Sequence, residues 1–301
     1  MTRVGRMPVM AICVLFMTTP GGAEIVDRIV AIVNEEIITQ RELEEKSYPV
    51  LLTLPGQPSP EEIEQIRKNV MVELVKNKLV IQAAKQKKIV LDREEVESFI
   101  ESRMAALEKQ YGSDLENVLS EQGFTVGEVE EMTRREAKQE LIKQRLLSQA
   151  VEAGVVVTDD DIRSQYSTRM FLTLSADDAT RALLQLKSGK ITFPEAVRQF
   201  SSGSGLDENG DMGTYLLGKW AEEIEAEVIK LSGVGDLSGV IPTQAGFAVV
   251  QLVDRRLKPL DELPPDDRKK IKDRLFRLKS VAESNAYVST LWERAHIRFV
   301  D

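Results

Sequence analysis

The residues best spaced for chemistry lie in FSSGSGLDENGDMGTY, residues 200–215, which sets four glycines and three acids between two apolar segments. A phosphate cradle of the G-x-x-x-x-G-K-[ST] kind needs lysine and a hydroxyl directly after its last glycine, and Gly210 is followed by Asp211 and Met212. A calcium loop counted from Asp207 keeps its alternation through Asn209 and Asp211. It then meets Met212 where glycine belongs and Gly218 where glutamate belongs. What remains is a solvated turn whose glycines supply positive φ. The rest of the reactive inventory is short: one cysteine, Cys13, and one histidine, His296. A zinc site or a Cys-His nucleophile is thereby excluded, and neither metal nor cofactor is expected. His296 alternates with Ile297 and Phe299 in AHIRFV, as a solvent-facing strand residue would.

The leading segment, MTRVGRMPVMAICVLFMTTPGGAEI, has two arginines, an apolar run from Met7 to Met17, and then small residues. That run is too short to cross about 30 Å of hydrocarbon, and the order is that of a cleaved secretory signal over residues 1–23, cut after Ala23. The segment therefore predicts export, with no stable membrane insertion. Loss of Cys13 with the signal leaves no thiol, so the fold must rest on its core. The net charge of -9, which becomes -11 without Arg3 and Arg6, and the lack of a basic block argue against nucleic acid as a partner.

Residues 24–301 suit two domains. IVDRIVAIV, residues 25–33, is β-branched and reads as a strand that ends at the turn Asn34-Glu35-Glu36. Five capping patterns then announce helices: Thr39 with Glu42, Ser59 with Glu62, Asp92 with Glu95, Thr125 with Glu128, and Thr158 with Asp161. Ile63, Ile66, Val70 and Leu74, flanked by Met71, Val75 and Leu79, give the second helix a wide apolar stripe. The texture changes near Met170. MFLTL reads as a strand, Asp177 to Lys187 and Phe193 to Phe200 as helices, Ala221 to Leu231 as another, and Gly246-FAVVQLVD as a strand. Pro259 and Pro264-Pro265 suggest a linker before a helix over 266–294, which carries Ile271, Leu275, Leu278, Ala282 and Trp292 on one face, and a final strand, HIRFV. Neither that helix nor the first strand has an evident local partner, so the chain ends are expected to meet. The fold class is α+β: a mainly helical domain of residues 24–160 plus 259–301, with an α/β domain inserted at 163–257.

These stretches resemble the SurA-like periplasmic chaperones, in which a parvulin-type peptidyl-prolyl isomerase forms the inserted domain. The resemblance rests on IVDRIVAIVNEEIITQRELEE, GFTVGEVEEMTRREAKQELIKQRLL, VVVTDDDIRSQY and the terminal DRKKIKDRLFRLKSVAESNAYVSTLWERAHIRFV. Inside the inserted domain it rests on LLQLKSGKITFPEAVRQFS, NGDMG and PTQAGFAVVQLVDRR. It implies that the glycine stretch shapes the backbone ahead of a strand and holds structure more than ligand. It also implies a site of two histidines, a loop Cys or Asp, and an apolar cup for proline. Here those positions fall on Met170 and Ala248 for the histidines, Gly203 for the loop group, and Trp220 and Ile224 for the cup. The polar catalytic set is missing.

Three readings follow. One is an ATP-independent chaperone that binds unfolded exported polypeptides, outer-membrane β-barrel precursors above all, with an isomerase-like domain that does no catalysis. A second is a working isomerase whose cup of Met170, Trp220 and Phe247 strains the imide without polar help. The third is a structural subunit of an envelope assembly. Peptide-binding candidates are Met170, Trp220, Ile224 and Phe247.

Overall fold

A computed structural model describes residues 27–54, 56–121, 123–202 and 207–300. The expected signal segment and Gly203 lie outside them. The chain divides into two compact units: one runs to Ala150 and resumes at Ala286, and the other is Val151–Asn285.

The first unit begins with a hairpin of β1 (Ile29–Val33) and β2 (Glu36–Thr39), and β1 pairs on its other side with β7 (Ile297–Phe299), all antiparallel. The first strand does have a local partner, contrary to the sequence expectation. Val33 pairs with Glu36 across a two-residue turn in which Asn34 takes φ 55°, a left-handed conformation asparagine tolerates. Asn34 also ties this sheet together. Its side-chain oxygen accepts from the His296 N–H at 2.9 Å, its own N–H donates to the His296 carbonyl at 2.8 Å, and its amide nitrogen donates to Gln82 at 2.7 Å.

Helices α1 (Gln40–Leu52), α2 (Pro60–Gln86), α3 (Arg93–Tyr111), α4 (Leu115–Glu121) and α5 (Val126–Val151) follow. Ser59 and Glu62 form a reciprocal capping box, as do Thr125 and Glu128. Thr39 caps α1 by accepting from the Glu42 N–H. Asp92 departs from the pattern and makes no capping bond, because Arg145 draws the Glu95 carboxylate to 2.5 Å and Asp92 to 3.7 Å. The sheet packs its buried Ala31, Val33 and Ile38 on Leu74, Val75 and Leu79 of α2, with Leu291, Trp292 and Ile297 alongside.

The second unit contains α6 (Asp159–Arg163), β3 (Ser164–Thr173), α7 (Ala176–Lys187), α8 (Phe193–Phe200), β4 (Asp211–Tyr215), α9 (Glu222–Val228), β5 (Ile241–Thr243) and β6 (Gly246–Leu257). Its antiparallel sheet has the order β4-β3-β6-β5. One face carries α7 and α8 over Phe171 and Val249, and the other carries Tyr166, Met170, Ala248, Val250 and Leu252 beneath Ile224 and Val228 of α9.

The long helix α10 (Pro265–Arg294) corrects the expected boundary at 259. Its first two-thirds belong to the second unit: Ile271 and Leu275 join the same apolar cluster as Met170 and Ala248. Its last third, with Tyr287, Val288 and Leu291, packs in the first unit. One continuous stripe at helical spacing cannot say which core receives each end. The expected linker is also part of the fold, since Leu260–Glu262 is a short 3-10 turn and Leu263 is buried in that cluster.

Candidate peptide-binding site

The candidate face is assembled by strand alternation. Successive residues of a strand point to opposite sides, so Tyr166, Thr168, Met170 and Leu172 of β3 share one face. The register pairs Thr168 with Leu252, Met170 with Val250 and Leu172 with Ala248, which brings Ala248 onto that face, diagonal to Met170. The two positions assigned to histidines by resemblance are thus neighbours, and both are buried in an apolar cluster. Ile224 is buried in it, and half-buried Trp220 packs against it, edge-on to Tyr215 with ring centroids 6.2 Å apart.

Phe247 is not part of this group. As the neighbour of Ala248 it points through the sheet to the opposite face, beside the cluster of Phe171 and Phe193. The cup of Met170, Trp220 and Phe247 is therefore not assembled.

Sequence reasoning missed the polar groups that are present. The Thr168 hydroxyl is fully buried, 3.0 Å from the Tyr215 hydroxyl and 3.1 Å from the Met212 sulfur. Burial pushes the Tyr215 phenol up to about 12 and also raises that of Tyr166, so both stay neutral at physiological pH. Such hydroxyls satisfy one another and offer no general base. The alternation in SQYSTRMFLT was the available signal, since it places Tyr166, Thr168 and Met170 on one face.

A second missed group is Glu225, whose carboxylate is fully buried on α9. It accepts from the backbone N–H groups of Gly218, Lys219 and Trp220 at 2.9–3.0 Å and from Arg274 of α10 at 2.5 Å. Arg274 also donates to the Trp220 carbonyl at 2.7 Å. This clasp fixes the loop carrying Trp220 between α9 and α10. Nothing in AEEIEAEV distinguishes Glu225 from its acidic neighbours.

Two of the three acids in the glycine stretch, Asp207 and Asp211, are spent on its own backbone. One oxygen of Asp207 accepts from the N–H groups of Asn209 and Asp211, and these bonds, that from Asp211 foremost, hold its carboxyl below the usual range. Asp211 accepts from the Gly213 N–H at 2.8 Å. Gly210, at φ 73°, lies so close to β3 that a Cβ would sit 2.3 Å from the Met170 carbonyl oxygen. Among the described residues, no group of three or more His, Cys, Asp or Glu side chains is placed to hold a metal ion. His296 is exposed ahead of β7.

Comparison with known proteins matches residues 26–147 to the SurA N-terminal domain and residues 173–254 to the PPIC-type PPIase domain. The chain is SurA-like, with a parvulin domain. A "Chaperone SurA" of Legionella pneumophila is 26% identical over 272 residues, covering 80% of this chain and 61% of that protein, so the match spans about six-tenths of its length. A "Foldase protein PrsA" of Clostridium kluyveri is 22% identical over 98% of this SurA-like chain and 97% of its own. A solved SurA-like chaperone of Campylobacter jejuni is 15% identical, covering 90% of this chain and 98% of that one, with a TM-score of 0.41. Among the described residues of the SurA-like chain, no helix is long and apolar enough to cross a membrane.

Proposed function

We propose that the chain is an ATP-independent periplasmic chaperone for unfolded exported polypeptides, outer-membrane β-barrel precursors among them, and that its parvulin domain does not catalyse proline isomerisation. What supports this is the burial of the parvulin face: Met170 and Ala248, which the resemblance sets at the imidazole positions, lie among apolar neighbours. The sequence supplies no substitute, since its only histidine and cysteine, His296 and Cys13, fall outside Val151–Asn285. Isomerisation must lower a barrier of about 18–20 kcal/mol, and an apolar surface that binds the planar and twisted imide equally well contributes little to that. Of the peptide-facing candidates of this domain, half-buried Trp220 remains open to packing contact, whereas Met170 and Ile224 are absorbed into the core.

Chaperoning asks only for reversible burial of apolar segments, without nucleotide. The purified chain, added to an outer-membrane β-barrel protein diluted from urea, is expected to suppress its light scattering without ATP and to do the same for unrelated barrels. Scattering unchanged at a several-fold molar excess of the chain would refute the chaperone reading.

A further inference from the structure

Most apolar stripes in the first unit are covered, but the end of α1 is not. Tyr48, Val50 and Leu52 are exposed, although they sit in a helix that packs on α2. Between the two helices runs a groove of about 360 Å³. Its floor is Val50 from α1 with Ile66, Val70 and Leu74 from α2. Lys46, Asn69, Glu73 and Asn77 form its rim.

The α2 residues fall in two parallel rows at i, i+4 spacing, one apolar (66, 70, 74) and one polar (69, 73, 77). At 1.5 Å of rise per residue, each row repeats about every 6 Å and extends about 12 Å. An extended chain places side chains of one face about 6.6 Å apart, so a segment of about five residues matches the three positions of the apolar row in pitch and length. The volume is at the low end for ligand pockets, about 300–1,000 Å³, which suits a short segment.

The rim specifies the character of that segment. Lys46 lies 3.9 Å from Glu136 and Glu73 accepts from Lys76 at 2.7 Å, so neither rim charge calls for a charged occupant and the apolar floor favours an uncharged one. Asn69 and Asn77 are oriented through their oxygens, which accept from Gln65 at 3.0 Å and from Lys143 at 3.3 Å. Their amide nitrogens have no partner among the described residues. Two oriented donors about 12 Å apart, two helical turns along α2, can meet backbone carbonyls of an extended chain whatever its sequence.

We propose that the α1–α2 groove is the client-binding site, and that it takes a short, extended, uncharged apolar segment of an unfolded polypeptide. This rests on the chaperone reading above.

The test uses the full chain and a fluorescein-labelled eight-residue peptide with Leu or Val at alternate positions and Ser or Thr between them. A counterpart has Asp at the apolar positions. The wild type is expected to bind the first peptide and not the second. Val50→Glu is expected to weaken binding at least tenfold. The pair Asn69→Asp and Asn77→Asp, which keeps both oxygen acceptors, should weaken it several-fold. Val50 is exposed, so the melting temperature should stay at the wild-type value; were Val50→Glu to unfold, Val50→Ser gives the same reading with a smaller loss. Wild-type affinity in the Val50 and Asn variants, or aggregation suppression by a wild type that does not bind the peptide, would overturn the groove while leaving the chaperone reading intact. Failure of the wild type in both assays would overturn both. A Val50→Glu variant that changes the mass measured by light scattering but not the peptide affinity would make the groove an interface between copies, and would likewise overturn the proposal.

Discussion

Two apolar surfaces of this molecule have opposite fates. On the parvulin sheet Met170, Ile224 and Ala248 are 6%, 6% and 0% exposed, whereas Tyr48, Val50 and Leu52 at the end of α1 stay 43%, 42% and 42% exposed. Sequence likeness marks the first as a site and says nothing of the second. In the structure Met170 and Ala248, which the resemblance sets at the imidazole positions, are absorbed into a core and stabilise it, while Tyr48, Val50 and Leu52 stay uncovered at the end of α1. Burial, more than residue type, separates a core from a site.

The comparison is broken most severely at the clasp that closes the parvulin face. Arg274→Ala leaves the buried Glu225 carboxylate without its cation, and loss of one partner of a buried pair costs about 3–5 kcal/mol. Urea unfolding followed by Trp220 fluorescence should shift to lower denaturant by that amount. The same experiment followed at Trp292, after Trp220→Phe in both backgrounds, should not move. Equal shifts at both tryptophans would show that the two units unfold as one.

Gly210→Ala should come next. The new Cβ overlaps the Met170 carbonyl at a φ of 73°, and overpacking with backbone shift costs about 1–3 kcal/mol. Thermal unfolding of the second unit is the measurement. A neutral result would mean that the NGDMG turn can leave β3 freely.

The buried phenol gives the parvulin face a pH signature. The folded-state value of Tyr215, about 12, lies above the unfolded value, so its contribution is fully present below about pH 10 and is lost as the pH rises from there toward 12. The loss should amount to about 2–3 kcal/mol and be absent in Tyr215→Phe, as read from urea midpoints across that range. At the open surface, by contrast, Val50→Ser should change stability by no more than about 0.5 kcal/mol, the smallest effect of the series, measured by the same midpoints.

Much of this was legible in the sequence, for identifiable reasons. Capping residues act locally, so Ser59 with Glu62 and Thr125 with Glu128 announced their helices correctly, and the apolar runs MFLTL and GFAVVQLVD marked the end of β3 and most of β6, while the alternation over the first residues of β3 went unread. Asp92 likewise marks the start of α3, though without a capping bond, because Arg145, which holds Glu95, lies far along the chain. The hairpin of β1 was missed because Glu36–Thr39 is a strand of only four residues. The division of α10 between two cores was hidden because a stripe reports its own periodicity and not its partner. The aromatic ring of Phe247 suits a proline cup, yet its place next to Ala248 assigns it to the other face of the sheet.

The account's central claim is that the closed parvulin face does no catalysis, and exchange NMR of a proline-containing tetrapeptide with the full chain tests it most directly. Uncatalysed exchange takes tens to hundreds of seconds at 25 °C, and the account predicts the same rate with the chain present at tens of micromolar, about the level at which an active isomerase would be unmistakable. Exchange well above that background, and lost on Trp220→Ala, would contradict it.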